Sequence, residues 1–172
     1  DWASGLAALT PLAKRYPLDL SRLSIVGHSA GVTAAVWLAS GASTDDVVAR
    51  NLPQVRGVVA LDGPLELSRY VGIDRQICGQ PVLAPLMGGT PLQVRARYDM
   101  VDPRVNRVHA KDVLVVNAML PAAPDMTAAI RASGATVSEM SGTQGRHFDM
   151  LVPGTADFAR IAPAVLRITK GR

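Results

Sequence analysis

The run Gly27-His28-Ser29-Ala30-Gly31 places a serine between two glycines, directly after the apolar Leu23-Ser24-Ile25-Val26 and before the helix-forming Thr33-Ala34-Ala35-Val36-Trp37-Leu38-Ala39. A chain passing from strand to helix through such a turn reverses within a few residues. The middle residue takes a strained conformation that only small neighbours tolerate. The Ser29 hydroxyl is then lifted above the strand end, where a base can reach it. The N–H of Ala30, at the start of the helix, is aimed at the oxygen that becomes negative in acyl transfer. The plainer reading is a tight turn with Ser29 as a helix cap, but strand, turn and helix together favour the nucleophile.

A serine hydroxyl is a poor nucleophile until a base takes its proton. The chain has three histidines. His28 sits inside the turn with its side chain expected to point away from the serine, which suits packing. His109 follows Arg107-Val108 and reads as a surface residue. His147 lies in the loop Ser141-Gly142-Thr143-Gln144-Gly145-Arg146-His147, between the last strand and the closing helix. That makes it the candidate general base for Ser29, in the chain order serine, acid, histidine.

The elements that must hold these residues alternate between strands and helices. Residues 2 to 15 carry Leu6, Leu9, Leu12 and Ala13 on one helical face, weakened by Pro11. Val55 to Leu61, Val113 to Val116 and Thr136 to Met140 read as further strands, largely apolar on both faces. Such strands predict a mostly parallel sheet with helices on both sides. Thr90-Pro91 predicts a helix over 91–98 with Thr90 as its cap. Asp125 to Ser133 and Thr155 to Ile168 predict two more. A polar loop containing Asp45, Asp46 and Arg50 follows the first sheet helix. The length fits one domain over 1–172, with 64–111, which has no long periodic element, as a cap or lid-like insertion.

The chain resembles the esterase and arylformamidase branch of the α/β-hydrolase fold. The resemblance rests on four segments: Asp19-Leu20-Ser21-Arg22-Leu23 leading into Gly-His-Ser-Ala-Gly; Val58 to Leu67 with Asp62-Gly63-Pro64-Leu65-Glu66-Leu67; Gly88-Gly89-Thr90-Pro91 with Asp102-Pro103; and His147-Phe148-Asp149-Met150-Leu151. It implies a serine hydrolase acting on a small carboxylic ester or amide-like acyl bond through an acyl-enzyme at Ser29. His147 would be the base, the Ala30 N–H an oxyanion donor, and no cofactor or metal is needed. Two departures stand out. The family's earlier strands and its His-Gly-Gly loop have no counterpart here. That leaves the strand at 23–26 as an open apolar edge, for an N-terminal segment or a companion chain to cover. The family also carries its acid about five residues past the strand at 113–116. The loop Asn117 to Pro124 has no carboxylate. Asp125 is the first available, although a helix cap is its ordinary role. Asp62, at the tip of the preceding strand, is the alternative. Without an acid, the fold would be an inactive binding protein or part of a cleaved enzyme.

Composition sets outer bounds. The chain has 172 residues, 48% hydrophobic and 19% charged, enough apolar material for a core. The formal charge of +4 is spread over scattered pairs such as Lys14–Arg15 and Arg104–Arg107, with no basic stripe for nucleic acid. Cys78, the single cysteine, cannot form an intrachain disulfide or nucleate a metal cluster. No apolar run has the length of a membrane span. The chain opens on Asp1 within a helix-like stretch, which leaves a removed leader open and the compartment unreadable.

Overall fold

A computed structural model describes residues 2–41, 51–142 and 146–170. Its centre is a four-stranded parallel sheet in the order β1 (Ser24–His28), β2 (Gly57–Leu61), β3 (Asp112–Asn117) and β4 (Thr136–Ser141). The register aligns the C-terminal tips, with His28 beside Leu61 and Leu61 beside Val116. Whatever follows those strands therefore gathers along one edge of the sheet.

Alternation along β2 and β3 explains why both faces are covered. Val58, Ala60, Val113 and Val115 pack on one side against Val32, Ala35, Val36 and Ala39 of α3 (Gly31–Ala39), with α1 (Trp2–Ala7) contributing Leu6. The same cluster holds Met126 and Ile130 of α7 (Pro124–Ala132). Val59, Leu61, Leu114 and Val116 face the other way, onto Ile161 and Ala164 of α8 (Ala156–Lys170). The predicted α/β class, parallel sheet and helices on both faces are what the structure has. Among the described residues no strand pairs with the outer edge of β1, where Val26 is 49% exposed.

Between β2 and β3 the chain forms only short pieces: a 3₁₀ turn at Ser68–Tyr70, α4 (Asp74–Cys78), α5 (Leu83–Met87) and α6 (Arg95–Asp99). They share a small apolar cluster of Leu67, Leu83, Met87 and Tyr98. Asp74 anchors this region by accepting from the backbone N–H groups of Val82 and Leu83, both at 2.8 Å.

Two helix expectations differ. The stretch 2–15 is α1 followed by a single turn, α2 (Leu9–Leu12), because Pro11 cannot extend the first helix's ladder. Thr90 does not cap a helix over 91–98. Its N–H and hydroxyl both donate to the Gln93 side-chain oxygen, and α6 starts only at Arg95. The acidic residues of the loop at 42–50 and residues 143–145 of the histidine loop lie outside the described residues.

Two glycines decide how tightly the turn after β1 packs, Gly27 against the start of α3 and Gly63, after β2, against the turn itself. A Cβ on Gly27 would run into the Gly31 carbonyl, and one on Gly63 into the Ser29 carbonyl. In both cases the obstacle is backbone, which cannot swing aside. Gly63→Ala should therefore destabilise the fold by ~1–3 kcal/mol, the usual cost of overpacking. Urea denaturation at neutral pH measures this; an unchanged midpoint would mean the turn tolerates the methyl group.

Candidate active site

β1 runs into the turn at Ser29, which has φ of 56°. This is left-handed backbone, costly for a residue with a Cβ. Three contacts hold it there: the Ser29 N–H donates to the Leu61 carbonyl at 3.0 Å, its carbonyl accepts from the Val32 N–H at 3.0 Å, and Gly63 packs against that carbonyl from below. α3 starts directly afterwards, with Ala30 exposed at its N-cap and the helix dipole pointing outward over the sheet edge.

The next strand tip repeats the device. Asp62 follows β2 with φ of 45° and is fully buried. One carboxylate oxygen accepts from the N–H groups of Ala118 and Leu120, each at 2.8 Å. The other lies 2.7 Å from Nδ1 of His147. Burial alone would raise the Asp62 pKa. The hydrogen bonds from His147 and from the Leu120, Ala118 and Met119 backbones outweigh it, and the carboxyl is held below its ordinary value. Asp62 is thus an ionised acceptor. His147 donates its Nδ1–H to it, which leaves Nε2 as the free, basic nitrogen.

His28 contributes more than packing. Its Nε2–H donates to the His147 carbonyl at 2.9 Å, and the two rings stack with centroids 4.4 Å apart. Phe148 joins them, edge-on to the His147 ring at 4.9 Å and 5.2 Å from that of His28. The residue before Ser29 therefore holds the loop that carries His147. The side chain points at the histidine loop. The motif's sequence carries no sign of that partner, which lies 119 positions away.

Of the predicted residues, the structure brings together Asp62, His147 and, through His28, the turn at Ser29. Among the described residues the Ser29 hydroxyl makes no direct hydrogen bond to the His147 ring; such bonds are commonly long before substrate binds. Asp125, the first-choice acid, is elsewhere. It lies in the first turn of α7, about half exposed, and pairs with Arg69 and Arg104. Nor is it the N-cap, a position Ala123 holds. Asp62, not Asp125, is the carboxylate beside His147: the loop after β3 carries no carboxylate of its own and turns the N–H groups of Ala118 and Leu120 onto Asp62. Glu66, which the resemblance segment contains, is a local brace. Its buried carboxylate accepts from the Ser68 N–H at 2.7 Å and the Arg69 N–H at 3.2 Å, and pairs with the Arg69 guanidinium.

Two pockets flank the turn and the loop after β3. One, of about 370 Å³, opens beside Ala30 and Gly31 and is walled by Leu67, Leu83, Leu86 and Met87. The other, of about 580 Å³, runs along Met119 and Leu120 and carries the polar side chains of Glu66, Arg69, Tyr70 and Gln76. Among the described residues no group of three His, Cys, Asp or Glu side chains could hold a metal ion. No described helix is long and apolar enough to cross a membrane.

No family model and no curated protein matches the chain. A solved structure described as a truncated form of a carbohydrate esterase from gut microbiota is similar to it at 16% identity and a TM-score of 0.64. The match covers 98% of this chain and 67% of that one. At that identity the likeness speaks for the fold, which is α/β-hydrolase-like.

The state of Asp62 has a measurable consequence. Its folded pKa lies below the unfolded value of about 3.9. Its ionisation therefore contributes stability that is present above that value and lost as pH falls through the lower, folded one. Asp74 and Asp125 are shifted the same way, so the parent protein sets the baseline. Asp62→Asn should flatten the loss of stability below about pH 4, read from urea midpoints across the acid range. An identical acid slope in parent and variant would contradict the ionised, hydrogen-bonded carboxylate.

Proposed function

We propose that this chain is a serine hydrolase cleaving a carboxylic ester or amide-like acyl bond through an acyl-enzyme at Ser29. One observation carries the reading: a buried, ionised Asp62 is bonded to His147 Nδ1 at 2.7 Å, alongside a serine held at φ of 56° on a strand-to-helix turn. The carbohydrate esterase fold neighbour agrees with ester chemistry.

In this reading the Ser29 hydroxyl attacks the substrate carbonyl carbon while His147 Nε2 takes its proton. The carbonyl oxygen gains the negative charge and accepts from the Ala30 N–H. As the tetrahedral adduct collapses, the bond to the leaving group breaks. That group departs as an alcohol or amine, carrying the proton returned by His147. Water then repeats the cycle on the acyl-Ser29 ester and releases the acid. Asp62 keeps the imidazole in the tautomer with Nδ1–H and stabilises its cation during both steps. His28, by gripping the His147 backbone, fixes where that ring sits.

A fluorophosphonate probe and p-nitrophenyl esters test this together. The parent should label at Ser29 and release nitrophenol, and Ser29→Ala should do neither. Asp62→Asn should lower kcat by about 10⁴-fold, because the amide favours the wrong tautomer. Asp125→Asn should stay within about twofold of the parent, a surface substitution away from the histidine. No labelling and no hydrolysis by the parent would leave a non-catalytic binding protein. A collapse in Asp125→Asn with Asp62→Asn active would reverse the acid assignment.

A further inference from the structure

We infer that the acyl group this site takes is an apolar chain of roughly four to eight carbons, seated in the pocket beside Ala30, and not an acetyl group. The inference rests on the serine hydrolase reading and adds the substrate class. In acyl transfer the acyl chain hangs from the carbon whose oxygen faces the oxyanion donor. With the Ala30 N–H as that donor, the adjoining space receives the chain. That space is the pocket of about 370 Å³ that Ala30 and Gly31 help to line.

Its chemistry admits only an apolar occupant. The walls are Leu67, Leu83, Leu86 and Met87, and no charged side chain lines it. The one lining hydroxyl, on Thr33, is already spent on the Pro64 carbonyl at 2.7 Å. A sugar hydroxyl or a carboxylate buried there would lose its water and find, among the lining side chains, only the indole N–H of the half-exposed Trp2 as a further donor. The volume is more than twice the ~150 Å³ cavity that suffices for benzene, so an acetyl methyl would leave most of it empty. The second pocket differs in kind. Arg69, Tyr70 and Gln76 give it hydrogen-bonding groups, which suits the polar leaving group. The space in front of the turn is open as well: a Cβ on Gly31 would meet nothing within 4 Å.

Chain-length profiles decide the matter. For p-nitrophenyl acetate, butyrate, hexanoate and octanoate, kcat/KM should rise about fourfold per added methylene until the pocket is full. Met87→Trp, which fills the pocket, should bring the optimum back to acetate. Leu86→Trp provides the same test at a rim position that is 71% exposed, where folding is not at risk. Met119→Trp, on the other pocket, should leave the order of esters unchanged. A parent that prefers acetate overturns the inference, and so does an optimum moved by Met119→Trp but not by Met87→Trp or Leu86→Trp. Calorimetry on Ser29→Ala separates this from the catalytic reading: octanoate should bind and acetate should not, and equal binding of both, or of neither, sinks the pocket assignment even if the parent is active.

Discussion

A carboxylate with no solvent exposure carries a large desolvation penalty, and in most places it would simply take up a proton. Asp62 stays ionised because its surroundings supply hydrogen-bond donors: two backbone N–H groups on one oxygen and an imidazole N–H on the other. The loop Ala118 to Leu120 has no side chain with a charge to offer, yet its backbone does the work of a cation. That arrangement requires β2 and β3 to be neighbours in register, since strands lie about 4.8 Å apart and only an adjacent tip brings those N–H groups within reach. The order of the sheet and the state of this one carboxylate are therefore the same fact seen at two scales.

Strain is concentrated at the same edge. Among the described residues the two non-glycine positions with positive φ are Ser29 and Asp62, one after β1 and one after β2. Conformations of this sort cost of order 1–3 kcal/mol each and persist only when the surroundings over-determine them. Here each is tied to the next strand along. Ser29 N–H bonds to the Leu61 carbonyl, and Asp62 N–H to the Val116 carbonyl at 2.7 Å. Gly63 leaves the room that lets the first turn nest in the second. The two side chains are presented above the sheet because the backbone beneath them is locked stepwise to its neighbour.

What could be seen in the sequence follows from how local each feature is. The strand, turn and helix around Ser29 are contiguous, and the apolar runs of β2 and β3 announce strands covered on both sides, so both were legible. The histidine loop was legible from its place between the last strand and the last helix. The histidine's carboxylate partner was not, because sequence distance favours Asp125 while the sheet places Asp62 beside the histidine. Its signal was the chemistry of position: a charged residue at the tip of a wholly apolar strand, followed by Gly63-Pro64, has few ordinary reasons to be there. His28 was hidden for the same reason. Its direction could be read, but the identity of the loop that meets it could not. Thr90 misled because a cap-like threonine before proline can satisfy its donors on a nearby glutamine just as well as begin a helix.

The position of Asp62 also suits the chemistry better than that of Asp125. The carboxylate of a triad must stabilise an imidazolium that exists only while the reaction is under way. A carboxylate that is already neutralised has little left for that purpose. Asp125 lies between Arg69 and Arg104, about half exposed, where solvent screens whatever field remains. Asp62 is satisfied by dipoles, not by a full positive charge, and it sits where the local dielectric is low. In the proposed reaction its field on His147 would thus be largely intact when the ring becomes charged. A site built around a buried, dipole-solvated carboxylate reserves its strongest electrostatic interaction for the charged intermediate, which is the condition for an interaction to accelerate a reaction and not merely to hold the resting state.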